Sequence, residues 1–254
     1  MYFDKHNTYL FHNIDRHGLI INKVQDMMFW KFTLLLEIKP DLNYIKEKLK
    51  TVGNFQQCVI GKNGKHTGLF LCAYNIDGNI HFNLEYQWWE LGGRVTNHSV
   101  TYVNEEVFKT LILPIHVEED SSFKISVIKT DKEITLNCNS NFKTEKYGDL
   151  IDYSNALMWL GAANRLNDTL DAEDPYNNIY VGEINKLHLQ DKPLDKEYEK
   201  LFFNDFKKFL DLKLDVKKNK IYFTSDFSQV SPYKILDQSG NGNHPVIFKN
   251  DWLM

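Results

Sequence analysis

A chain of 254 residues with 43% hydrophobic and 25% charged residues has the make-up of a soluble globule, long enough to bury its own core. A net charge of −4 offers no basic excess, which argues against nucleic acid as a partner. No stretch approaches the roughly 20 apolar residues of a membrane span, and Met1-Tyr-Phe-Asp-Lys-His-Asn7 lacks the basic start and apolar core of a signal peptide.

The expectation is synthesis in the cytoplasm without a signal peptide, with a virion or cell surface as the place of display. Three widely spaced cysteines, Cys58, Cys72 and Cys138, lie in apolar runs. An odd, scattered set is a poor disulfide framework and a poor zinc site, so buried free thiols are expected.

Strand periodicity dominates the chain. Between Trp30 and Lys39 the even positions Trp30, Phe32, Leu34, Leu36 and Ile38 are apolar, while the odd ones are mostly polar. This alternation predicts a strand with one packed and one wet face. Two further strands, Gln57 to Ile60 and Leu69 to Tyr74, flank a loop whose Asn63-Gly64 suits a hairpin turn. Asn75 to Asn79 is a second turn, leading into a strand from Ile80 to Trp88. Phe123, Ile125 and Val127 alternate with polar partners, as do Ile134, Leu136 and Cys138, and Thr130 to Glu133 joins the two runs.

Leu157-Met-Trp-Leu-Gly-Ala162 and Tyr180-Val-Gly-Glu-Ile184 read as two glycine-bearing strands. One helix follows, over about residues 194–210. Its apolar stripe is Leu194, Tyr198, Leu201, Phe202, Phe206 and Phe209, with Asp195 as N-cap, and the stripe should pack on the sandwich. Such a meander of short strands predicts an all-β fold, a jelly-roll sandwich of two antiparallel sheets with one short helix in the C-terminal half. A single domain over 1–254 is expected.

The glycine strands and Pro193-Leu-Asp-Lys-Glu197 together resemble the closing segment of the laminin-G-like, concanavalin A-like lectin and glucanase superfamily. Phe29 to Pro40, Cys58 to Leu71 and Ile125 to Asn139 resemble its earlier strands, in family order. The resemblance covers about residues 25–203. One departure is Ile235-Leu-Asp-Gln-Ser-Gly-Asn-Gly-Asn-His244, which resembles a segment that commonly opens such domains but lies near the end here. Residues 220–254 are therefore read as a returning or circularly permuted strand of the same sandwich, with the start of a second domain as the alternative.

Glycoside hydrolases share this fold and need two carboxylates flanking the scissile bond. The Glu-x-Asp-x-x-Glu spacing of the related glucanases is absent, and Glu118-Glu-Asp120 is followed by Phe123 where the third acid belongs. No His-Glu-x-x-His and no Gly-x-Ser-x-Gly occurs either. The chain is read as no enzyme.

Two binding candidates emerge. In Ile80 to Trp88 the apolar parity is even, so Trp88 should face the core, while Trp89 shares the polar parity of His81, Asn83, Glu85 and Gln87. An outward Trp offers a flat apolar platform for a sugar ring. The second candidate is the loop from Asn164 to Asn178, where Asn164, Arg165, Asn167, Asp168, Asn177 and Asn178 could hydrogen-bond sugar hydroxyls. Its Asp168, Asp171 and Asp174 could serve calcium, although no EF-hand order is present.

The functional expectation is a non-catalytic, lectin-like module that binds a glycan or surface polysaccharide. The alternative is a virion structural, decoration or fibre protein, a homo-oligomer or one with virion assembly partners. A polysaccharide hydrolase ranks last.

Overall fold

The computed structural model describes residues 2–3, 8–11, 31–62, 67–96, 99–118, 121–148, 158–161, 180–212, 221–227, 238–239 and 246–248. Their strands form two antiparallel sheets of seven, numbered here in chain order. In sheet A the spatial order is β12 (Gly182–Gln190), β3 (Phe32–Pro40), β8 (Phe123–Lys129), β9 (Glu133–Cys138) and β10 (Asn141–Lys146). The outer edge of β12 takes β1 (Tyr2–Phe3) at one end and β13 (Ile221–Asp226) at the other. Sheet B runs β14 (Val246–Phe248), β2 (Thr8–Phe11), β11 (Met158–Leu160), β4 (Asn54–Lys62), β5 (Thr67–Ile76), β6 (Asn79–Thr96) and β7 (Ser99–Ile115). The fold is an all-β jelly-roll sandwich, as the alternation predicts.

Alternation builds the core directly. Phe32, Leu34, Leu36 and Ile38 of β3 are fully buried and meet Leu69, Leu71, Leu84 and Tyr86 from sheet B. Each such side chain contributes about 1.5–3 kcal/mol relative to exposure. The turn between β5 and β6 has positive φ at both central residues, Asp77 at 50° and Gly78 at 84°, as a primed hairpin turn requires. Residues beyond 220 enter both sheets, through β13 on β12 and β14 on β2.

Three helices decorate the strands, where the sequence predicts one. The predicted helix divides at Asp205 into α2 (Lys196–Asn204) and α3 (Phe206–Asp211). Asp205 leaves helical geometry because its carboxylate caps the next helix, accepting the Lys208 amide at 3.2 Å. Phe202, Phe206 and Phe209 pack with Leu35 on the outer face of sheet A. Thus Thr33 and Leu35, on the face of β3 expected to be wet, are fully buried. His188 lies beneath the same helices, with Nδ1 2.7 Å from the Thr224 hydroxyl and Nε2 3.1 Å from Gln190 Oε1. The additional helix α1 (Leu42–Leu49) is capped by Asp41, which accepts the Tyr44 amide at 3.0 Å, and buries Ile45 and Leu49.

Gly182, the second glycine of the resemblance, has φ +146° and no room for a side chain. A Cβ there would stand 2.5 Å from the Lys39 carbonyl oxygen and 2.8 Å from Pro40 Cα, both backbone atoms. Gly182→Ala should therefore lower unfolding stability by at least about 2 kcal/mol in urea titrations.

Gln57 faces the core opposite Leu71 and is 1% exposed, with neither amide atom hydrogen-bonded. Unpaired buried amides cost about 1–3 kcal/mol, so Gln57→Met should raise stability by about 1 kcal/mol in the same titration.

All three cysteines are buried and free. Burial pushes the Cys72 and Cys138 thiols up to about 12, and raises Cys58 well above its ordinary value. Thiolate is the reactive form and is scarce far below the pKa. At pH 8 a thiol reagent should leave the native protein essentially unlabelled and titrate all 3 cysteines in denaturant.

Candidate functional site

The outward side of sheet B is built by the residues that alternate with the core set on β4 to β7. Cross-strand register brings Cys58, Phe70, Glu85 and Ile112 into one row, and Trp89 opposite Phe108 into another. The row between them holds Gly68, Gln87 and Thr110.

Trp88 and Trp89 diverge as alternation requires. Trp88 joins the inter-sheet core, stacks on Tyr86 at 6.0 Å between centroids, and donates its indole N–H to Glu90 Oε1 at 2.8 Å. Trp89 is half-buried on the opposite face, its ring 5.1 Å from that of Phe108 and tilted by 52°. Phe108 is 43% and Ile112 38% exposed, so the outer face of β7 presents two apolar side chains to solvent, with Thr110 between them. Neither Phe108 nor Ile112 stands out in the sequence. The short apolar run Leu111-Ile-Leu113 was the available strand signal for β7.

The rest of this face differs from the wet surface that its polar parity suggests. Glu85 and Gln87 are buried, and so are Cys58, Phe70 and Cys72. β5 carries Leu69-Phe-Leu-Cys-Ala73, a continuous apolar run, and such runs belong to strands covered on both faces. Buried polar groups need partners, and these have them. Glu85 accepts the Tyr74 hydroxyl at 2.7 Å through one oxygen and the Gln87 amide at 3.0 Å through the other. Burial and the hydrogen bond to Glu85 raise the Tyr74 pKa, keeping it a neutral donor. The Gln56 amide points to Cys72 Sγ at 3.4 Å.

Chemically, this arrangement offers stacking surface above a fixed polar floor. Glu85, on the outward side of β6, accepts hydrogen bonds through both of its oxygens. The predicted polar loop, with Asn164, Arg165, Asn167, Asp168, Asp171, Asp174, Asn177 and Asn178, lies outside the described residues. Among those described, no group of three or more His, Cys, Asp or Glu side chains is placed to hold a metal ion. No helix is long and apolar enough to cross a membrane.

No protein-family model matches the chain, and no curated protein matches it in sequence. Solved structures do resemble it. A Bacteroides ovatus protein to which carbohydrate binding is ascribed shares 10% identity at a TM-score of 0.50, over 96% of this chain and 56% of that one. Full-length tailspike protein 2 of an Escherichia coli O157:H7 bacteriophage shares 9% identity at a TM-score of 0.41, over 69% of this chain and 22% of the tailspike. A heptameric SAP-like pentraxin from Limulus polyphemus shares 12% identity at a TM-score of 0.38, over 77% of this chain and 81% of the pentraxin. The chain thus spans under a quarter of the tailspike and little more than half of the Bacteroides protein, and the likeness to the latter is one of fold.

Proposed function

We propose that this chain is a non-catalytic, lectin-like module of the concanavalin A-like, laminin-G-like kind, and that it binds glycans at the outer margin of sheet B. The observation that carries this reading is the Trp89–Phe108 pair, two large aromatic rings half-open to solvent on a rigid strand pair. Aromatic faces take up the C–H side of a sugar ring with little loss of conformational freedom. The Glu85–Tyr74–Gln87 network supports the platform by fixing the strands beneath it. The carbohydrate binding ascribed to the Bacteroides protein of like fold points the same way.

A non-catalytic role is favoured because glycoside hydrolysis asks for two carboxyl groups flanking the scissile bond, and the Glu-x-Asp-x-x-Glu spacing of the related glucanases is absent from the sequence. In this reading the Asn164–Asn178 loop adds polar contacts, and Asp168, Asp171 and Asp174 supply the oxygens for a calcium ion.

The test is a glycan array followed by calorimetry on the best hit. Trp89→Ala and Phe108→Ala should each weaken binding about tenfold, near 1.4 kcal/mol, with melting temperature nearly unchanged. Undiminished, wild-type affinity in both variants, or no reproducible array hit, would sink the reading. Repeating the titration in EDTA checks the calcium element, which predicts weaker binding there.

A further inference from the structure

At its other outer face, the sandwich holds a cleft remote from Trp89. Across β1, β12 and β3, cross-strand register aligns Tyr2 with Glu183 and Glu183 with Lys39. Ile38 and Ile184, one residue away on each strand, are core residues, so this row points outward from sheet A. Helices α2 and α3 cover the same face farther along, over Leu35 and His188. Their cover reaches as far as the Lys186–Glu37 ion pair at 2.9 Å, where Lys186 also approaches the Phe203 carbonyl. The Tyr2–Glu183–Lys39 row is one step beyond it.

The turn into α1 walls this row. It closes a cleft of about 300 Å³ lined by Tyr2, Lys39, Asp41, Asn43, Gly182 and Glu183, with Pro40 and Leu42 as its apolar members. The wall is stiff. Asp41 accepts the Tyr2 hydroxyl at 2.6 Å through one oxygen and the Tyr44 amide at 3.0 Å through the other. Its own amide donates to the Val181 carbonyl at 3.0 Å. Backbone packed against Gly182 forms the back of the cleft, and buried Tyr180 donates to the Glu183 carbonyl at 3.1 Å. Burial works against ionisation of Asp41, but the Tyr2 hydroxyl and two backbone amides outweigh it and hold the carboxyl below its ordinary pKa.

We propose that this cleft binds a single neutral pyranose residue. Two carboxylates accept from a vicinal diol, the Lys39 ammonium and Asn43 amide donate to its oxygens, and the ring of Tyr2, 45% exposed, offers a C–H contact face. Such volume is at the lower end of the range for small-molecule pockets, about 300–1,000 Å³, which suits one sugar ring and no longer chain. Two acids against one lysine disfavour phosphate, sulfate and uronic acids. The polar lining disfavours apolar ligands, and the described residues hold no three-ligand cluster for a divalent ion. This site goes beyond the sheet B reading and does not depend on it.

The experiment is an amide NMR titration of the whole chain with methyl glycosides of glucose, galactose, mannose and N-acetylglucosamine, and with methyl glucuronide. Saturable shifts of the Asn43, Gly182 and Glu183 amides are expected with at least one neutral glycoside, at millimolar concentration. Asn43→Ala and Glu183→Gln, both at solvent-accessible positions, should each weaken that binding about fivefold, the loss of one hydrogen bond. Trp89→Ala should leave it unchanged. The proposal is overturned if no neutral glycoside gives saturable shifts at these amides, if the shifts persist undiminished in both variants, or if glucuronide binds as well. Failure of the sheet B reading shows separately, in the Trp89 indole resonance and the Trp89→Ala calorimetry.

Discussion

At Gly182 the backbone of one strand presses against the end of its neighbour, and much of sheet A is arranged around that contact. β12 is paired along both edges, by β3 on one side and by β1 and β13 on the other. Where β3 ends, the chain must leave the sheet and start α1 while staying bonded to β12. It does so because Gly182 presents bare backbone, letting Lys39, Pro40 and Asp41 approach closer than any Cβ would allow. From that position the Asp41 amide reaches Val181, and its carboxylate both caps α1 and receives Tyr2. A side chain's width of displacement would break all three bonds together. A register shift between Ile184 and Lys186 then resets the strand, so Ile184 and Leu187 both face the core while Lys186 and His188 face out.

The second consequence of this architecture is that neither outer face is simply solvent. Helices bury part of sheet A, and the outward residues of β5 and β6 are buried as well. Burying polar groups is costly unless they are paired. The pairing is local on both faces: Glu85 with Tyr74 and Gln87, His188 with Thr224 and Gln190. Thr33 donates to the Lys192 carbonyl and accepts from the Leu194 amide, tying the start of the helical cap to β3. Networks closed within one sheet fix side-chain positions without relying on loops. Surfaces above them are therefore stiff, which suits recognition, since less freedom is lost on binding.

This pattern also explains which parts were legible in the sequence. β3, β6, β8 and β9 announce themselves because their inner faces pack against the opposite sheet, and packing writes a period of two, while β5, covered on both faces, shows as a continuous apolar run. β10 is exposed at every residue, so nothing imposes a period on Asn141 to Lys146. α1 has only eight residues, too few for a stripe to be distinguished from chance, although Asp41 after Pro40 was a cap signal. The divided helix has one continuous stripe, and only the cap geometry of Asp205 interrupts it. Trp89 could be assigned to an outward face by parity. Its partner Phe108 could not, because register across a long hairpin is not contained in either strand alone. The Tyr2 cleft is still less legible: it joins residues from three separate stretches of the chain, and no local motif links Tyr2, Asp41 and Glu183.

The two proposed sites divide the work of recognition according to what each outer face leaves open. On sheet B, Trp89 and Phe108 place two rings side by side on the β6–β7 strand pair. Among the described residues, sheet A is open at the end that α2 and α3 do not reach, and there the α1 turn encloses the space on one side. An enclosed, charged cleft discriminates by volume and hydrogen-bond pattern. Because inner faces of a sandwich are shared and outer faces are not, the sites lie on opposite sides of the protein. They can evolve separately, and the Gly182 contact that shapes one is remote from the Glu85 network that supports the other.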